Sequence, residues 1–168
     1  MTRTLILMRH AKSSWDDPRL DDFDRPLNDR GRASATALGE WLVQQGLLPD
    51  EGLVSTAKRT VETWNLVSEA FATTVEARFS ERLYHASADR LLSELQAVTG
   101  RTVLLIAHNP GIADFAARLV TEPPQHPRFD DYPTGATTII AFPAGTWSDI
   151  RWHTGRVTDF VTPRDLLE

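Results

Sequence analysis

Two short, unbroken apolar runs constrain this chain more than any other feature. Thr4 to Met8 reads TLILM, and Thr102 to Ala107 reads TVLLIA. Each has strand length and lacks the polar alternation of a half-exposed strand. Such runs suit strands covered on both faces, the environment of a parallel sheet between helices. Both stop abruptly at polar residues, Arg9-His10 after the first and His108-Asn109 after the second. In open α/β sheets the carboxyl ends of the strands are where ligands bind. A cation and two imidazoles therefore stand where buried strands surface at that edge.

Helical periodicity fills the chain between these runs. Residues 16–29 are polar and Pro-bearing and read as a loop, with Asn28 or Asp29 available to cap the next helix. From Gly31 to Gln45, Ala33, Ala37, Leu38, Trp41 and Leu42 recur on one face, and Gly46 supplies a stop. Leu53 to Ser55 reads as a strand, followed by a helix with Val61, Trp64, Val67 and Phe71 inward. Thr74 to Phe79 alternates as a weaker strand. Ser87 caps a helix carrying Leu91, Leu92, Leu95 and Val98, stopped by Gly100. After the second apolar run, Asn109 as cap and Pro110 at the first helical position predict a helix that buries Ile112, Phe115, Ala116 and Leu119. Residues 121–135 hold four prolines and read as a long surface loop. Ala136 to Phe142 and Asp149 to His153 read as two late strands, a hairpin pair at a sheet edge. Strands alternating with helices predict a three-layer α/β/α sandwich around a mostly parallel central sheet. With no repeat, low-complexity tract or linker, residues 1–168 are expected to form a single domain.

Composition narrows the function classes. The 168 residues carry a net charge of −5, and 41% of them are hydrophobic. An acidic chain lacks the basic face of a general nucleic-acid or anionic-membrane binder, so neither partner is expected. There are no cysteines, which removes thiolate nucleophiles and zinc–thiolate sites. The apolar residues before Arg9 are too few for a signal peptide, and no window approaches a membrane span of roughly 20 residues. A cytoplasmic enzyme-sized domain is the expectation.

Parallel strands would bring four side chains to one rim. Arg9 and His10 follow the first strand, Arg59 lies in the first turn of the helix after Leu53 to Ser55, and His108 follows the second apolar run. Two guanidiniums, two imidazoles and two helix N-termini make an anion site, most simply for a phosphoryl group. A neutral imidazole is also a nucleophile at pH 7. Phosphoryl transfer asks mainly for in-line positioning and charge stabilisation, which two arginines and a second histidine supply without a metal or another cofactor.

The motifs MRHAKSSW, DFDRPLNDRG, STAKRT, ERLYHAS, AHNPG and PTGA, in that order, resemble the histidine phosphatase superfamily, the group containing the phosphoglycerate mutases. The pattern is most similar to the SixA-type phosphohistidine phosphatases. The resemblance implies a phosphoglycerate mutase-like fold and a metal-independent phosphatase without cofactors. It implies His10 as the nucleophile that becomes phosphohistidine, with Arg9, Arg59 and His108 completing the phosphate pocket. Glu81 falls near the general acid of many relatives, and Lys12, Ser13 and Arg25 would lie near the pocket mouth and contact substrate. Three positions depart from the family pattern: Ala11 and Ala107 stand where glycine is usual, and STAKR lacks the proline of the commoner SPxxR. The substrate implied is a phosphorylated protein bearing phosphohistidine. The alternative is a small phosphate ester of a sugar, nucleotide or cofactor, and a non-catalytic phosphate-binding module is a further rival.

Each residue also has a plainer reading. Arg59 can pair with Glu62 on a helix surface, and Glu81 with Arg82 or Arg78. His108 can belong only to a helix-capping turn. His85, His126 and His153 read as loop or edge residues. The acidic run DDPRLDDFD reads as a solvated face, or as a gate that repels over-charged substrates or recruits basic partner surfaces.

Overall fold

The computed structural model describes all residues, Met1–Glu168. The first apolar run forms β1, Arg3–Arg9, and the second forms β4, Thr102–Ala107. They pair in parallel from Thr4 opposite Thr102 to Arg9 opposite Ala107. Their ends are thus level, and the His10 amide continues the ladder by donating to the Ala107 carbonyl at 3.2 Å. Each run is apolar throughout because its alternate residues face two different cores. Leu5, Leu7, Val103 and Leu105 enter one buried cluster, and Ile6, Met8, Leu104 and Ile106 enter the other. Leu5 to Met8 are all fully buried.

β2 (Glu51–Ser55) pairs in parallel with β4 and with β3 (Ala77–Ser80). β5 (Thr137–Phe142) lies antiparallel against β1, and β6 (Arg156–Val161) antiparallel against β5. The sheet order is β3-β2-β4-β1-β5-β6, so β5 alone runs against the rest. Helices cover both faces, as the continuous apolar strands require. α1 (Asp29–Gln44) and α2 (Lys58–Ser68) close one core, while α3 (Ala88–Leu95) and α4 (Gly111–Leu119) close the other. The Asn28 side chain caps α1 by accepting from the Gly31 amide at 2.8 Å, and Gly46 ends it with a φ of 71°.

Four local expectations need correction. β3 is shorter than predicted, since residues 74–76 precede its pairing with β2. Asn109 does not cap α4. Its side-chain amide instead donates to the carbonyls of Asp131 and Tyr132, each at 3.0 Å, and α4 begins at Gly111. The late strand is not at Asp149 to His153. Trp147–Asp149 forms a 3-10 turn that buries Trp147 and Ile150 in the core, and the true strand is β6. β6 escaped notice because an edge strand reading RVTDFV is largely exposed and carries no apolar run. A short C-terminal helix, α5 (Pro163–Leu167), was also not predicted. It starts from a capping box between Thr162 and Asp165 with Pro163 at its first position.

Candidate active site

His10 sits just beyond β1 and is only 4% exposed. Its backbone is fixed on both sides, because the Gly135 amide donates to its carbonyl at 2.9 Å and the Ala11 amide donates to Thr63 Oγ1 on α2 at 3.1 Å. The ring nitrogen Nδ1 lies 2.7 Å from the Ala11 carbonyl oxygen. A carbonyl can only accept, so Nδ1 carries the proton and Nε2 keeps its lone pair. Arg59 Nε points at that lone pair from 3.4 Å. Burial lowers the His10 pKa to about 3; the Ala11 carbonyl opposes the shift, and Arg9, Arg59 and Arg25 add to it. The imidazole is neutral, with its unprotonated nitrogen held among cations.

The other predicted groups converge there. Arg59, the second residue of α2, is 5% exposed. Its outer edge donates to Asp22, from Nη1 to the carbonyl at 2.6 Å and from Nη2 to the carboxylate at 2.9 Å. It does not pair with Glu62, which instead accepts from the Leu27 amide. His108 lies across from His10 with ring centroids 5.3 Å apart, and its Nε2 is 2.7 Å from the hydroxyl of Ser55 at the end of β2. Burial pushes its pKa well below the usual imidazole range, and His10 and Arg59 add to the shift. Arg9 Nη1 donates to the Tyr132 carbonyl, the oxygen that also receives Asn109. Tyr132 is itself anchored under the sheet, its hydroxyl donating to the Leu7 carbonyl at 2.7 Å.

Arg9, His10, Arg59 and His108 line a cavity of about 380 Å³ together with Lys12, Ser13 and Arg25. Arg25 stacks its guanidinium over the Trp15 ring at 3.5 Å. Glu81 is not brought to the cavity. It is exposed at the start of a 3-10 turn, Glu81–Leu83, and makes no ion pair; Arg82 pairs with Glu94 instead. Several lining residues lie inside the quoted motifs, which do not by themselves assign them to the site. Asp22 sits inside an acidic run that reads as a solvated face. His85 read as a loop residue, yet it joins the rim from a backbone with φ of 55°. Trp15, Asn109 and Thr134 complete the wall. No group of three or more His, Cys, Asp or Glu side chains stands in a metal-holding arrangement.

The molecule has five buried side-chain polar atoms without a hydrogen-bond partner. Four of them belong to lining residues: Arg9 Nε, Arg25 Nε, His108 Nδ1 and Asn109 Oδ1. Buried polar groups are nearly always paired. The guanidiniums of Arg9, Arg25 and Arg59 make the cavity cationic and suit an anion with several acceptor oxygens.

Residues 5–98 match the model of the histidine phosphatase superfamily, branch 1. The chain belongs to the histidine phosphatase superfamily. An uncharacterized protein of Mycobacterium leprae is 32% identical over 168 residues, covering 94% of this chain and all of that protein. An uncharacterized chloroplastic protein of Arabidopsis thaliana is 34% identical over 130 residues, which is 71% of this chain and 60% of the plant protein. A solved structure of a candidate phosphohistidine phosphatase SixA from Nakamurella multipartitia superposes with a TM-score of 0.80 at 30% identity, covering 97% of each chain. The protein is thus a phosphatase of the SixA type with a phosphoglycerate mutase-like fold. At the three positions that depart from the family pattern, Ala11 is fully buried, Ala107 pairs with Arg9 in the sheet, and Thr56, in the place of the proline, is half-buried with its hydroxyl unpaired.

Proposed function

We propose that the protein, with residues 1–168 acting as one domain, removes phosphoryl groups without a metal through a phosphohistidine on His10. The observation that carries this reading is the unprotonated Nε2 of His10, buried and neutral beside Arg59 in a cavity also lined by Arg9 and Arg25. The phosphoryl group docks on Arg9, Arg59 and His108. His10 Nε2 attacks in line, forming a P–N bond as the bond to the leaving group breaks. The charge on the equatorial oxygens is met by the guanidiniums. Water then attacks phosphorus, the P–N bond to His10 breaks, and phosphate leaves. Glu81 does not line the cavity, so the leaving group takes its proton from solvent at the mouth or brings it along.

The substrate we favour is phosphohistidine on a protein. The cavity is small, and its rim holds exposed side chains such as Trp15, which is 76% exposed. Such a mouth admits a projecting side chain from a large partner. Incubation with a phosphohistidine protein and rapid acid-free quenching is expected to trap an acid-labile phosphoryl label. The label and turnover both vanish in His10→Ala. Turnover retained by His10→Ala would overturn the mechanism. Faster turnover of a panel of small phosphate esters than of the phosphoprotein would overturn the substrate, and anion binding without turnover or label would mark a binding module.

A further inference from the structure

Asp22 is the one carboxylate among the residues that line the cavity. It arrives on a 3-10 turn, Asp22–Asp24, braced where the Phe23 ring meets Tyr84 edge-on. Its Oδ2 accepts from Arg59 at 2.9 Å and from the Tyr84 hydroxyl at 2.7 Å, with His85 Nε2 3.6 Å away. Its Oδ1 accepts only from Arg25, at 3.1 Å, and the side chain is still 43% exposed. A carboxylate oxygen accepts two hydrogen bonds, so Oδ1 has room for a further donor from the mouth. Burial works to raise the Asp22 pKa, but Tyr84 and Arg59 outweigh it and hold the carboxyl far below the usual range. This group stays ionised and is no proton donor.

One guanidinium joins it to the reaction centre. Arg59 presents Nε to His10 and Nη2 to Asp22, so the carboxylate stands one guanidinium width from the nucleophile, on the exposed side.

We propose that Asp22 selects the leaving group: its carboxylate accepts an N–H from a nitrogenous leaving group such as the ring of phosphohistidine, and turns away leaving groups that carry a second negative charge. The inference rests on reading His10 as the nucleophile. In a protonated phosphohistidine ring, one nitrogen bears the phosphoryl group and the other bears hydrogen. That hydrogen bonds to Asp22, which favours the protonated ring. His10 Nε2 forms its bond to phosphorus. The substrate P–N bond breaks with its electron pair remaining on the ring nitrogen, and the ring departs as neutral imidazole. No proton need come from the enzyme, which fits the position of Glu81 outside the cavity. A leaving group bearing a carboxylate meets like charge at the same place.

The test uses three para-substituted phenyl phosphates whose chain ends in an ammonium, a methyl or a carboxylate, so that only charge at the mouth differs. For the native protein, kcat/KM is expected to fall in that order. In Asp22→Asn the ammonium-to-carboxylate ratio should drop on the order of tenfold, the scale of two close charges in a partly solvated setting, and in Asp22→Lys the order should invert. Tyr84→Phe keeps the carboxylate and should keep the order. An unchanged ratio in Asp22→Asn, with its thermal unfolding showing a folded protein, overturns the proposal, as does loss of the order in Tyr84→Phe. Native turnover of all three without charge order overturns this inference alone. Native protein that turns over neither these esters nor the phosphohistidine protein overturns the phosphatase reading of the site together with it.

Discussion

At the level of single residues, the site is legible where chemistry is concentrated and opaque where geometry decides. Arg9, His10, Arg59 and His108 were identifiable because reactive side chains closing buried strands, or opening the helix between them, have few other uses. Which nitrogen of His10 is free was not, since it depends on the Ala11 carbonyl 2.7 Å from Nδ1. Arg59 has its inner edge at His10 and its outer edge on Asp22, so truncation should remove anion affinity directly. Arg59→Ala is expected to weaken inhibition by vanadate 10- to 100-fold, roughly what one or two charge-assisted hydrogen bonds supply. Glu81 offers the contrast. Glu81→Gln should leave kcat/KM for a phosphohistidine substrate within about twofold, and a loss beyond tenfold would return it to the reaction.

Among the elements, the helix starts carry the site because they are held against the loops that shape it. Gly111 opens α4, and a Cβ there would run into the Ala86 carbonyl oxygen. That carbonyl follows His85, so the close approach sets the rim as well as the helix. Gly111→Ala should cost about 1–3 kcal/mol, read from the midpoint of urea unfolding, because the obstructing atom is backbone. A change within 0.5 kcal/mol would mean that the loop yields freely. The sequence placed this helix correctly and misread its cap. Asn109 and Pro110 are good local start signals, but local propensity lost to the carbonyls of residues 131 and 132, which claim the Asn109 side chain. Likewise the edge strand β6 was missed because burial on two faces, the signal that revealed β1 and β4, is absent there.

In the whole molecule, two buried neutral imidazoles link the site to stability. Both His10 and His108 have pKa values lowered by burial, His10 to about 3, whereas an unfolded chain titrates near 6.5. Below pH 6.5 the unfolded state takes up protons that the folded state refuses. Stability is therefore full above that pH and is lost as pH falls toward 3, by up to about 1.4 kcal/mol per pH unit for each group. Urea midpoints between pH 8 and 4 should trace this loss, and His10→Asn should flatten part of it. A curve identical in slope for that variant would show that His10 titrates freely in the fold.

What the sequence determined by itself was everything that repeats or clusters locally. Periodicity gave the layered α/β sheet, and unbroken apolar runs marked the two central strands. Their abrupt polar ends located the rim, and the ordered motifs pointed to the family. Tertiary structure alone decided the rest. It left Glu81 in solvent, drew Asp22 out of an acidic run and set it on Arg59 thirty-seven residues away, and brought His85 to the mouth. The physical reason is that a strand or helix is specified by its own spacing. Where a loop side chain ends up depends on which distant partners offer it charge, hydrogen bonds or room, and no local pattern records that.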